Sequence, residues 1–190
     1  MDTNKKEPRD LVYNKIQYLK RCQEIGRFVY EDTFRINGLL INALLQIRDA
    51  FLYNQTINNI NVLELKEGLF VNGRSNSGKT ALMVILKSIL DTSKSFKIIS
   101  CLEIEHQFKK YGKAYLENLF DDRNTSWCFD DFGKRSTASH YSILRILIEK
   151  IFESKNTYHI ISDFTLEQIH SKLGMVYYNK IKSKFITIKT

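Results

Sequence analysis

The chain has 190 residues, 43% hydrophobic and 26% charged, with a formal net charge of +8. That size and balance suit one globular domain with a small appendage, and exclude a collagen-like or largely disordered chain. No apolar run approaches the ~20 residues that would cross a bilayer, and the opening MDTNKKEPRD lacks a signal peptide's apolar core, so a cytoplasmic protein without a membrane partner is expected.

Residues 1–10 read as a charged tail. Leu11, Ile16, Leu19 and Cys22 recur at helical spacing and predict a helix over 11–30. A second helix follows a predicted N-cap at Asn37, with Leu39, Leu40, Ala43, Leu44, Ile47 and Phe51 on one face. The polar stretch 54–61 is expected to be a loop, so 1–60 reads as an N-terminal helical extension and 61–190 as the core. In the core, short apolar segments predict strands over 69–72, 96–104, 127–130, 158–162 and 185–189. Helix-like segments over 79–90, 105–119, 141–153 and 166–172 fill the gaps. Such alternation predicts a parallel sheet with helices on both sides.

Between the first core strand and the first core helix lies Gly73-Arg74-Ser75-Asn76-Ser77-Gly78-Lys79-Thr80, which fits G-x-x-x-x-G-K-[ST]. Each part has a physical task. Gly73 and Gly78 let the backbone bend until successive N–H groups point inward around a phosphate. Lys79 brings a positive charge to the β- and γ-phosphates, and the Thr80 hydroxyl ligates Mg²⁺. The helix from Lys79 through Ala81 adds its positive end to the anion site. The chain has only 8 glycines and 1 proline, so two glycines spent on this turn are informative.

A phosphate loop needs a carboxylate for its metal at the end of a neighbouring buried strand. Trp127-Cys-Phe-Asp130-Asp131-Phe-Gly133 supplies one. Asp130 would hold Mg²⁺ and Asp131 would act as general base on the attacking water. The segment Tyr158-His-Ile-Ile-Ser162-Asp163 ends a further strand. If that strand lies between the first and third, Ser162 or Asp163 would meet the lytic water. The three cysteines (Cys22, Cys101, Cys128) and four histidines (His106, His140, His159, His170) show no metal spacing; the thiols read as reduced core residues.

The positive excess favours nucleic acid or an acidic protein surface. From Lys172 to the end there are five lysines (172, 180, 182, 184, 189) and no acid. Phe108-Lys-Lys-Tyr111-Gly-Lys113 interleaves aromatics with cations, a pattern that suits stacked bases as well as the surface of an amphipathic helix.

The phosphate loop, Phe129-Asp-Asp-Phe-Gly133 and Ile160-Ile-Ser-Asp-Phe-Thr-Leu-Glu-Gln-Ile169 together resemble the helicase-loader and transposition-helper ATPases of the DnaC/IstB type, within the AAA+ superfamily. The likeness runs from about residue 34 to 190. It implies a three-layer α/β P-loop NTPase core of the ASCE class with strand order 5-1-4-3-2, and no C-terminal lid domain. It also implies ATP and Mg²⁺ as cofactors and ATP-dependent homo-oligomers with the nucleotide at subunit interfaces. A replicative ring helicase on single-stranded DNA is the implied partner, or alternatively a transposase on double-stranded DNA. Two positions depart from the family pattern. The sensor asparagine corresponds to Asp163, and the trans-acting arginine corresponds to Lys184, a point charge without arginine's bidentate fork. Hydrolysis is therefore expected to be slow, and a third alternative is a nucleotide-dependent binding module that hardly turns over.

Overall fold

A computed structural model describes residues 14–58, 68–90, 95–121 and 125–190. The described helices are α1 (Lys15–Tyr30), α2 (Gly38–Asn58), α3 (Lys79–Ile89), α4 (Cys101–Tyr111), α5 (Lys113–Asp121), α6 (Ala138–Glu153), α7 (Leu166–Leu173) and α8 (Met175–Lys184). The strands are β1 (Gly68–Asn72), β2 (Phe96–Ser100), β3 (Ser126–Phe132), β4 (His159–Ser162) and β5 (Phe185–Lys189). All five form one parallel sheet in the order β2-β3-β4-β1-β5, which is the expected 5-1-4-3-2 read from the other edge.

The chain divides into two compact units. The first gathers α1, α2, α3 and Thr190; both α1 and α2 contact α3. Asn14 caps α1, accepting from the Ile16 and Gln17 N–H groups, and Asn37 accepts from Leu40 N–H at the start of α2, as the sequence predicts. The boundary expected at 60/61 lies outside the described residues, as does the tail 1–10.

The second unit holds the sheet with α4 to α8. Its core is aromatic and aliphatic: Phe70, Phe129, Phe132, Leu144, Leu147, Tyr158, Ile160 and Ile169 are all within 1% of complete burial. β1 and β4 are buried at every position because each has a strand on both edges and cover on both faces. Cys22, Cys101 and Cys128 are buried and unpaired, as expected.

Four segments differ from the sequence reading. Residues 54–58 continue α2 instead of forming a loop, since no glycine or proline interrupts a helix whose propagation costs little per residue. Cys101–Ile104, read as strand, begins α4, because the Ser100 side chain accepts from Leu102 N–H and turns the chain into a helix. The helix read over 105–119 is two helices, broken where Gly112 takes φ 65° and ψ −151°, a conformation open in practice to glycine alone. The basic stretch before β5 is itself a helix, α8.

Candidate functional site

The parallel sheet brings the ends of its strands to one edge. Register pairs Ser100 with Asp130, Phe132 with Ser162, and Asn72 with both Ser162 and Lys189. The carboxyl edge therefore collects Asn72, Gly73, Ser100, Asp130, Asp131 and Ser162. β4 lies between β1 and β3, as the reading of the lytic-water site required. Gly73 N–H donates to the Ser162 carbonyl at 3.3 Å, which ties the start of the phosphate loop to β4.

Along the loop, Arg74, Ser75 and Asn76 are exposed, and Asn76 and Gly78 take left-handed backbones, φ 63° and 89°. Gly78 opens α3 with no side-chain cap. A Cβ on Gly78 would also meet the Leu40 side chain at 3.0 Å, a tight contact that adds to the left-handed backbone in favouring glycine. Ser77 Oγ is hydrogen-bonded to Thr190 Oγ1 at 2.6 Å. Lys79 is 8% exposed, Thr80 is exposed and Ala81 is half-buried. At the start of α3 the buried Lys79 lies on a helix end without a side-chain cap, which suits a phosphate; at the end of β1 the buried Asn72 has an amide oxygen without a protein partner.

Asp130 and Asp131 sit where β3 departs from regular pairing, a register shift between Phe129 and Phe132. Asp131 N–H donates to Asp130 Oδ1 at 2.6 Å, and Asp131 itself takes φ 56°. Ser100 Oγ donates to Asp131 Oδ2 at 2.9 Å, and Lys134 Nζ lies 3.4 Å from Oδ1. Ser100 escaped the sequence reading, although Ser100-Cys-Leu-Glu103 is a capping-box pattern that marks a helix start. Glu105 of α4 is 2% exposed and joins α4 to the start of α6. Lys109 Nζ donates at 2.8 Å, Ser139 Oγ at 3.0 Å, and His140 Nδ1 lies 3.0 Å away. Burial works to raise the Glu105 pKa, but these hydrogen bonds outweigh it and hold the carboxyl down to about 2.

At the end of β4 the two candidates separate. Ser162 is fully buried; its hydroxyl donates to the Phe132 carbonyl at 2.8 Å and accepts from Phe164 N–H at 2.9 Å, so it braces the strand end. Asp163, half-buried in the bend after β4, is the remaining candidate. Lys184 lies elsewhere. It directly precedes Phe185, which pairs with Gly68, so it sits at the opposite edge of the sheet from Asp130. Its Nζ donates to the carbonyls of Ile151 (2.5 Å) and Ser154 (3.3 Å) at the end of α6 and lies over the Phe152 ring. Burial lowers its pKa.

No family model and no curated protein sequence matches the chain. Among solved structures it is similar to the DnaC helicase loader, at TM-score 0.63 and 20% identity over 83% of this chain and 94% of that one. It is similar to DnaI at TM-score 0.59 and 15% identity, covering 88% and 93%. The replication initiator DnaA, bound to AMPPCP and single-stranded DNA, matches at TM-score 0.55 and 12% identity over 83% of this chain and 48% of that one. Among the described residues no helix is long and apolar enough to cross a membrane. The likeness carried by the phosphate loop, the aspartate pair and the fourth strand is thus matched by the backbone, and the chain shares the parallel five-stranded α/β fold of the DnaC helicase loader and DnaI structures.

Proposed function

We propose that the chain is an ATP-binding, slowly hydrolysing accessory protein of DNA replication that acts on a ring helicase at single-stranded DNA. The observation that carries this reading is the carboxyl edge of the sheet: Asp130 and Asp131 end β3, one strand from the phosphate loop, with β4 between. ATP, with Mg²⁺ bound, would supply the phosphoanhydride and its charge-neutralising metal. Lys79 would bind the β- and γ-phosphates while Gly73–Ala81 cradle them, and Thr80 and Asp130 would hold the metal. Asp131 would take the proton from the attacking water, with Ser100 holding its carboxylate in place. Asp163 would orient that water. Lys184 could act only on a neighbouring copy's nucleotide, and would first give up its bonds to Ile151 and Ser154. That cost, and the lack of an arginine fork, favour slow turnover, with ATP serving chiefly to assemble copies.

The test is magnesium-dependent binding of a fluorescent ATP analogue and phosphate release, with and without single-stranded DNA, for wild type and Lys79→Ala. Binding by wild type and at least tenfold weaker binding by the variant are expected. No binding by wild type would remove the reading. ATP-dependent retention of a purified ring helicase, and none of a transposase, is the expected partner result.

A further inference from the structure

We infer that Thr190 is a positioning residue for the phosphate loop: its hydroxyl, hydrogen-bonded to Ser77 at 2.6 Å, holds the last turn of the loop in the shape that receives a nucleotide phosphate. The inference rests on the proposed reading of the loop and goes beyond it, because neither the motif nor the strand pattern assigns Thr190 a role.

The argument begins with register. β5 is the strand next to β1 and runs parallel to it, with Asn72 opposite Lys189. Asn72 is the last residue before the loop and Lys189 the last residue of β5. The residue after Lys189 therefore emerges beside the residues after Asn72. A short side chain with a hydroxyl suffices to reach across.

The contact falls where the loop needs support. Ser77 lies between Asn76 and Gly78, which both hold left-handed backbones, φ 63° and 89°. Two such residues flanking a third have few interactions of their own to hold them, since neither conformation belongs to a helix or strand. The Ser77 backbone N–H is one of the groups that a loop of this pattern turns inward. A side-chain bond from Ser77 outward to a strand-anchored hydroxyl fixes the orientation of that peptide. Leu40 packs on the neighbouring Gly78, so the two residues that end the turn are each held from outside the motif. The bond is half-buried, which limits competition from water.

The experiment uses the full chain with Thr190→Val, which keeps the shape and removes the hydroxyl, Thr190→Ser, which restores it, Ser77→Ala, and the double variant Thr190→Val/Ser77→Ala. Two quantities are read: amide hydrogen exchange over 73–80 without nucleotide, and magnesium-dependent affinity for a fluorescent ATP analogue. The expected results are faster loop exchange and roughly two- to tenfold weaker binding for Thr190→Val. Near wild-type values are expected for Thr190→Ser, and for the double variant a loss no larger than that of Ser77→Ala alone. Unfolding temperatures should stay within a degree or two, so a general loss of fold is distinguishable. Unchanged loop exchange in Thr190→Val, or additive losses in the double variant, would overturn the inference. Failure of wild type to bind nucleotide would instead overturn the reading of the loop, and the exchange measurement would still decide the brace.

Discussion

Asp131 holds φ at 56°, a region that costs an L side chain on the order of 1 kcal/mol or more. Its carboxylate accepts from Ser100 and lies near Lys134, so the strained backbone is fixed from both sides. Strain kept at the end of a strand beside a phosphate loop points to a positional demand on the side chain. Asparagine keeps the shape, tolerates the left-handed region and can still accept from Ser100, but is a far poorer base. Asp131→Asn is therefore expected to bind the ATP analogue within about twofold of wild type and to unfold at the same or a slightly higher temperature. Its phosphate release should fall by roughly a hundredfold or more. Turnover at the wild-type rate would remove Asp131 as the general base.

At the scale of elements, Lys184 joins α8 to the end of α6, giving two carbonyls at a helix C-terminus a cationic donor. Lys184→Met keeps a side chain of similar length beside Phe152 and removes the charge. A loss of about 1 kcal/mol in urea unfolding is expected, given the partial exposure of the ammonium. If cap is its only role, phosphate release per bound ATP should be unchanged; a drop that appears only at concentrations where copies associate would assign it the trans-acting role. This two-sided position was not readable from residues, because a lysine before a strand looks the same whether it faces a partner or its own helix. Other elements were legible for identifiable reasons. β1, β4 and β5 announce themselves as apolar runs, and α3 and α6 as amphipathic repeats. Apolarity failed at Cys101–Ile104, where a buried helix start and a buried strand present the same residues. α8 was hidden because its tyrosines and lysines leave little contrast between faces. Strand order came through the family likeness and not through the residues, since spacing along the chain does not fix which strands become neighbours.

At the scale of the molecule, two buried groups among the described residues carry large pKa shifts that act in acid. The His159 ring is 3% exposed, tilted against Phe96, and accepts from the Leu69 N–H of β1 at 3.1 Å, so it links β4 to β1 in its neutral form. Burial lowers its pKa from the ordinary 6.5 to about 3. Between those values the unfolded chain binds a proton that the folded chain refuses, so stability falls as pH drops below about 6.5. Glu105, held down to about 2, adds a second loss between about 4.5 and 2, where the unfolded carboxylate protonates first. Stability should therefore be level above about pH 7 and decline in two stages toward acid. At about 1.4 kcal/mol per unit of pH for one proton, the histidine alone should remove about 2–3 kcal/mol by pH 4.5. Urea unfolding at pH 7.5, 6.5, 5.5 and 4.5 measures this directly. In His159→Asn the side-chain oxygen can accept from Leu69 where Nδ1 did, and no proton is taken up, so its slope over the same range should be shallower by that amount. Equal slopes in the two proteins would mean that the folded state accommodates a charged ring between β4 and β1, and that the buried, neutral link does not hold in solution.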